Sequence, residues 1–136
     1  LSVRRTADGL VLDTAAPVLL DVGAAGKGYL VDLVGELLVQ RGLPDTVVDA
    51  SGDVRVRGER SIRVALENPF DPAKALGVVE LRDQALCASA TTRRAWGEGL
   101  HHIIDAITGQ PVDAVVATWV VADSALVADG VATAMF

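Results

Sequence analysis

The sequence contains a single cysteine, Cys87, which excludes a disulfide within the chain. Its neighbours Leu86 and Ala88 indicate a small buried residue rather than a reactive thiolate. No stretch approaches the roughly 20 consecutive apolar residues of a membrane-spanning helix, and no repeat or low-complexity segment is present. Basic residues are outnumbered, with 12 Lys and Arg against 18 Asp and Glu, so the net charge is −6. That charge argues against nucleic acid or an anionic membrane as a non-specific partner.

The remaining composition is that of a globular protein. Of the 136 residues, 51% are hydrophobic and 22% are charged, which predicts one soluble domain over residues 1–136. The chain begins with Leu1 rather than a methionine, and it stops within the apolar run Val131–Phe136. We therefore expect it to be a portion of a longer protein.

Hydrophobic periodicity predicts an α+β fold with two helices and a mainly antiparallel sheet. The first helix is expected after Gly28, because leucines and valines recur there at helical spacing until Gly42 and Pro44. The second is expected over Ser124–Phe136, with Asp123 or Ser124 as its N-cap.

Short β-branched segments predict the strands. An antiparallel meander is expected from Thr46–Ala50, Asp53–Arg57 and Ser61–Ala65. The other predicted strands are Leu10–Leu12, Val18–Leu20, Gly77–Leu81, Ala85–Ser89, 114–121 and the segment that contains both histidines.

The segment Asp21–Gly28 joins an apolar strand to the first helix through three glycines and Lys27. Amides and the macrodipole at a helix N-terminus attract anions, and Lys27 would add a cation, so the pattern suits a phosphorylated ligand. The spacing does not match a Walker A loop, which excludes that class of nucleotide triphosphatase. A tight strand-to-helix connection with a solvated lysine explains the same residues.

Two further segments carry polar residues between apolar ones. Asp49–Asp53 allows close backbone approach at Gly52, but a hairpin connection also accounts for it. His101 and His102 are the only histidines, and neighbouring strand positions face opposite sides, which disfavours a shared zinc site. His102, on the face of Ile104, is a candidate catalytic base, unless a turn carbonyl simply satisfies the ring.

Asp129 and Thr133 are four residues apart on the predicted second helix, so a carboxylate and a hydroxyl share one face. Hard oxygen ligands of this kind suit Mg²⁺, with backbone carbonyls, water and phosphates completing the shell. Apolar residues surround the pair in sequence, and burying an uncompensated carboxylate is costly. Either a ligand or a buried hydrogen bond is therefore expected at Asp129.

These segments, in this order, resemble the motifs of the FAD:protein FMN transferases, the ApbE family. Asp21–Gly28 is similar to Asp-x-Gly-Gly-x-Ala-Lys-Gly, and Asp49–Asp53 is similar to Asn-x-Gly-Gly-Asp. His102–Gly109 is similar to His-Ile-Ile-Asp-Pro-x-Thr-Gly, and Ala128–Thr133 to Ala-Asp-x-x-Ala-Thr. Five residues depart from those patterns: Ala24, Gly26, Asp49, Ser51 and Ala106.

The resemblance implies a bacterial enzyme that transfers FMN from FAD to a threonine or serine hydroxyl of an acceptor protein and releases AMP. By that resemblance Asp21, Lys27 and Ile104 would contact FAD, and His102 would be the catalytic residue. Mg²⁺ would be held by the carbonyl of Ala24, by Asp129 and by Thr133. The alternative is a non-catalytic module that binds a flavin or another dinucleotide. With either function, the protein would be cytoplasmic or attached to the cell envelope.

Overall fold

A computed structural model describes all residues, 1–136. Its fold is α+β, and every strand pair is antiparallel, as predicted. In chain order the elements are β1 (Ser2–Thr6), β2 (Gly9–Asp13), α1 (Gly23–Gln40), β3 (Thr46–Asp49), β4 (Asp53–Arg57), β5 (Ser61–Asn68), β6 (Asp71–Arg82), β7 (Ala85–Ala90), β8 (Ala95–Trp96), β9 (Leu100–His101), β10 (Ala117–Ala122) and α2 (Ala125–Ala134). Neither helix has the length and hydropathy of a membrane span.

The central sheet has the strand order β10-β7-β4-β3 and separates two hydrophobic clusters. On one face α1 and α2 pack against a cluster of small residues: Val31, Ala85, Cys87, Ala125 and Ala128. On the other face the ribbon of β5 and β6 covers a second cluster: Val54, Val56, Leu81 and Leu86. Small side chains on the helical face let the two helices come close to each other and to the sheet.

Strand β4 alternates between these two faces, as its sequence pattern requires. Its valines point toward the ribbon, whereas its charged residues lie under α1. Three ion pairs join the helix to the strand along its length: Lys27 to Asp53 at 3.1 Å, Asp32 to Arg55 at 3.7 Å, and Glu36 to Arg57 at 3.8 Å. The polar face of this strand is therefore covered by a helix of matching charge.

Helix α1 begins at Gly23, five residues earlier than predicted. The prediction that Asp21–Gly28 forms a glycine-rich turn before the helix was wrong, since its glycines and Lys27 lie within the first two turns. The reason is local: the carbonyl of Val22 accepts hydrogen bonds from Ala25 and Gly26 at 3.1 and 2.7 Å, which starts the helix. Its predicted end is confirmed, because Gly42 adopts a positive φ of 84° directly after the last turn.

Three strand predictions were wrong. Val18–Leu20 forms no strand, since β2 pairs with the preceding segment Ser2–Thr6 instead. The predicted meander breaks after β4, because β4 pairs with β7, and β5 pairs with β6 in a separate ribbon. The two histidines do not share a strand, since β9 ends at His101.

Helix α2 has Ser124 as its N-cap, as predicted, and the Ser124 side chain accepts from the amide of Val127. The buried hydrogen bond expected at Asp129 is present, although the larger apolar residues around it in sequence are not buried. Leu126, Val127 and Val131 are exposed, and the buried face consists of Ala125, Ala128, Asp129 and Ala132. The one carboxylate of this helix therefore lies on its most closely packed face.

Candidate functional site

The N-terminus of α1 is already occupied by an anionic group of the chain itself. The Asp21 carboxylate accepts a 2.7 Å hydrogen bond from the amide of Gly23. A Cβ at Gly23 would lie 2.9 Å from that same carboxylate oxygen, so a larger residue there would displace the Asp21 side chain. In the structure the macrodipole of α1 is therefore met by Asp21, and a phosphate would have to approach beside it.

Lys27 extends from α1 to the turn between β3 and β4. Its ammonium lies 3.1 Å from Asp53 Oδ2 and donates to the carbonyls of Ala50 and Ser51 at 3.3 and 3.5 Å. Ser51 and Gly52 both have positive φ, 58° and 103°, as a two-residue hairpin turn requires. The hairpin interpretation of this segment is confirmed, and the hairpin also anchors the lysine.

Asp53 is the most deeply buried charged residue of the chain, with no exposed surface. Neither of its carboxylate oxygens meets the geometry of a hydrogen bond, so the ammonium of Lys27 is what compensates it. Burial raises the pKa of Asp53, and Lys27 offsets part of that rise by favouring the ionised form. Neighbouring Cys87 is buried, as predicted, and this burial raises the pKa of its thiol.

The closest contact between the helices joins Gly28 to Asp129. The amide of Gly28 donates a 2.8 Å hydrogen bond to Asp129 Oδ2, across 101 residues of sequence. A Cβ at Gly28 would overlap the carbonyl of Ala125 and lie 2.7 Å from the Cβ of Asp129. In an α-helix the amide of residue 28 points toward the carbonyl of residue 24. The Asp129 carboxylate therefore lies against the N-terminal turns of α1, which also carry Ala24.

The residues proposed for Mg²⁺ offer a chemically suitable but incomplete shell. Asp129 Oδ1 makes no hydrogen bond and is not among the fully enclosed polar atoms. Thr133, one turn further along α2, has its hydroxyl 3.4 Å from that of Ser89. No group of three His, Cys, Asp or Glu side chains is placed to bind a metal. A single carboxylate with a hydroxyl and a carbonyl fits Mg²⁺, which keeps several waters and binds substrate phosphates.

The two histidines have different environments. His101 is held at both ring nitrogens, since Nε2 lies 2.9 Å from the carbonyl of Val112 and Nδ1 accepts from the amide of Ile103. His101 is therefore a histidine whose ring is hydrogen-bonded to a backbone carbonyl. His102 is exposed, and partial loss of hydration lowers its pKa, an effect that the backbone of Arg94 partly offsets. A neutral imidazole can accept a proton.

A tight turn follows His102. Asp105 Oδ1 accepts from the amides of Ile107 and Thr108 at 2.7 and 2.9 Å, and these bonds lower the pKa of Asp105. Ile104 forms an isolated bridge to Pro111 and remains 48% exposed, so its side chain is available to a ligand.

The structure thus places the candidate residues in two groups. Asp129 lies directly against the N-terminal turns of α1, which carry Ala24, and Lys27 follows on the same helix. The hydrogen bonds of the His102 segment run to neighbouring loop residues, and none reaches α1 or α2. Sequence reasoning missed Asp53 and Ser89 as partners of Lys27 and Thr133, since only the pairing of distant strands and helices brings them together.

Solved structures that are similar to this chain include ApbE proteins. The ApbE protein of Thermotoga maritima is 25% identical, with a TM-score of 0.81 over 97% of this chain and 45% of that one. The apo flavinyl transferase ApbE of Pseudomonas stutzeri is 29% identical, with a TM-score of 0.77 over 98% of this chain and 42% of that one.

The sequence itself assigns the family. Residues 2–136 match the model of the ApbE family, so the chain belongs to the ApbE family, as its motifs indicated. Among curated relatives, the FAD:protein FMN transferase of Rhodobacter capsulatus is 36% identical over 96% of this chain. That of Vibrio cholerae is 31% identical over 96%. The chain spans only 26% and 42% of these two relatives.

Proposed function

We propose that this chain supplies the cation-binding and base-bearing part of an FAD:protein FMN transferase. The reaction is Mg²⁺-dependent transfer of FMN from FAD to a threonine or serine hydroxyl of an acceptor protein, with AMP as the leaving group. The observation that carries this proposal is Asp129, a buried carboxylate with one oxygen fixed by the Gly28 amide and the other free of hydrogen bonds. Family membership supports the same reaction.

The proposed chemistry is a displacement at the phosphorus of the FMN phosphate. The acceptor oxygen forms a new bond to phosphorus, the pyrophosphate P–O bond breaks, and AMP leaves with that oxygen. His102 takes the hydroxyl proton, since its lowered pKa leaves the ring neutral at pH 7. Mg²⁺, held by the Ala24 carbonyl, Asp129 and Thr133, would neutralise charge on the pyrophosphate oxygens.

In this proposal Lys27 has two roles. Its ammonium compensates Asp53, and with its side chain 42% exposed it also faces solvent, where a phosphate could approach. Asp21 and Ile104 are the other proposed FAD contacts, one at the start of α1 and one beyond the histidine segment. The exposed flank of α1 and α2 adds an apolar pocket of about 460 Å³, lined by Val22, Ala25, Gly26, Tyr29 and Leu126.

The test uses the full-length gene product with FAD, MgCl₂ and a threonine-bearing acceptor domain, read by in-gel flavin fluorescence. Wild type should label the acceptor, and Asp129→Ala should abolish labelling and the joint effect of Mg²⁺ and FAD on the melting temperature. Asp123→Ala removes an exposed carboxylate just before α2 and should behave as wild type.

The outcomes separate the functions. A melting-temperature shift without acceptor labelling would indicate a flavin-binding module instead. If the wild type showed no melting-temperature shift and no acceptor labelling, the proposed function would be contradicted. His102→Ala should lower the rate by about 100-fold or more, the usual contribution of a general base, while leaving the melting-temperature shift intact.

A further inference from the structure

Asp32 lies on α1, one turn after Gly28, and faces the N-terminus of α2. Its Oδ1 accepts from the amide of Ala125, and its Oδ2 accepts from the amide of Leu126 and the hydroxyl of Ser124, each at 2.9 Å. These donors are 92 to 94 residues away in sequence. A carboxylate from one helix thus caps the other, in addition to the cap that Ser124 itself provides.

The first amides of a helix have no partner within it, and an anion placed there also meets the positive end of the macrodipole. Asp32 fulfils both functions, because it binds two of these amides and carries a charge. On its other side Arg55, which is almost completely buried, lies 3.7 Å from Oδ1. The carboxylate is thus held between a buried guanidinium and a helix terminus.

The position of α2 relative to α1 depends on few polar contacts. Asp32 fixes the first turn of α2, and Gly28 lies against the carbonyl of Ala125 in that same turn. Asp129 is one turn further along and reaches the Gly28 amide. Because a helix is rigid over one or two turns, fixing residues 124–126 also fixes the direction in which Asp129 and Thr133 point.

We infer that Asp32 is a positioning residue: it sets the register of α2 so that Asp129 meets the Gly28 amide with its second oxygen directed to the cation. This inference rests on the proposed cation role of Asp129. Asp32 itself contacts neither substrate nor metal in this account, and it acts through the N-terminus of α2.

The test compares Asp32→Ala with wild type in two measurements on the same protein. The first is the amide proton resonance of Gly28 by NMR, which reports its bond to a carboxylate. In Asp32→Ala it should move toward the position it has in Asp129→Ala. The second is Mg²⁺ affinity by calorimetry with MgCl₂ alone, which should weaken about tenfold, as for other residues that orient a metal ligand.

Two further variants separate positioning from a general loss of stability. Asp32→Asn keeps one acceptor oxygen but loses the charge, so it should restore part of both signals and provides a folded alternative if the alanine variant unfolds. Leu81→Val removes a methylene from the cluster on the opposite face of the sheet, which lowers stability away from the helices and should leave the Gly28 resonance in place.

An unchanged Gly28 resonance in Asp32→Ala and Asp32→Asn would overturn the inference. If the resonance moves while wild type binds no Mg²⁺, the positioning role stands and the proposed cation site is what fails.

Discussion

At the α1–α2 junction the polar contacts are buried at Asp129 and partly buried at Asp32, and they join residues 92 to 101 positions apart. The segment that carries His102 is exposed, and its hydrogen bonds join residues at most 11 positions apart. The junction is thus fixed by the folding of the whole domain, whereas the histidine segment is fixed by its own turn.

This difference suits the two proposed roles. A cation ligand needs a rigid frame, because Mg²⁺ demands near-ideal geometry, and a buried helix pair provides one. A base that meets an incoming acceptor protein must be accessible, and loops are where such residues are commonly found. His101 and Asp105 make the hydrogen bonds that shape the loop, and His102 is exposed beside them.

The largest loss of stability is expected where a substitution prevents the close approach of α1 and α2. Gly28→Ala places a methyl group against the Ala125 carbonyl and the Asp129 Cβ, so we expect unfolding free energy to fall by about 3 kcal/mol, the upper range for overpacking. Urea denaturation would measure it. Gly26→Ala is the matched control, since its Cβ would meet only Val22 at 3.7 Å. Equal effects of the two variants would show that the close approach is not needed.

Replacing one partner of the buried Lys27–Asp53 ion pair should cost more stability than replacing the other. Lys27→Met leaves Asp53 buried without its counter-charge, and breaking a buried pair in this way costs about 3 kcal/mol. Asp53→Asn should cost less, because the freed ammonium can reach water.

The loss of stability in Lys27→Met should change with pH in one direction. The folded pKa of Asp53 lies above its unfolded value, and without Lys27 it would rise further. The folded state then binds more protons between those two pKa values, so stability falls as pH rises through that window. The destabilisation by Lys27→Met should therefore shrink as pH is lowered from 7 toward 4. A loss that grows in acid would contradict this account of Asp53.

The change of rate with pH that His102 causes should be a smaller effect and should lie on the acid side of the profile. Lost hydration lowers its pKa below the ordinary 6.5, and only the neutral ring accepts a proton. The acid limb of the kcat/KM profile for flavin transfer should therefore lie below pH 6.5. A limb above 6.5 that persists in His102→Gln would assign it to another group.

The smallest effect is expected at the turn after His102. Asp105→Ala removes the acceptor of the Ile107 and Thr108 amides, so their hydrogen exchange should accelerate while the Val31 amide in α1 stays protected. Asp113→Ala, an exposed carboxylate nearby, is the control. Faster exchange at Val31 as well would show that the loop and the junction are coupled.

The sequence predicted the class of fold and the long helix because leucines at helical spacing carry that information locally. It did not predict that α1 starts at Gly23, because Gly-Ala-Ala-Gly has no apolar period, and its small residues serve contact with α2. The family motifs located Asp129 and Thr133, but a motif cannot show which backbone amide meets the carboxylate.

Local sequence patterns also could not predict the three ion pairs between α1 and β4. The alternation in Asp53–Arg57 fits a strand, yet it gives no sign that α1 covers the charged face. In the sequence, Asp32 is similarly one polar position of an amphipathic helix. It caps α2 only because folding brings it to Ser124, 92 positions away.

The central claim is that Ala24, Asp129 and Thr133 converge on one cation. Crystals of the full-length protein soaked with AMP and Mn²⁺, a Mg²⁺ substitute with anomalous scattering, test it most directly. We expect one anomalous peak bonded to Asp129 Oδ1, the Thr133 hydroxyl and the Ala24 carbonyl, with Oδ2 still bound to the Gly28 amide. A peak elsewhere, or none while AMP is bound, would contradict it.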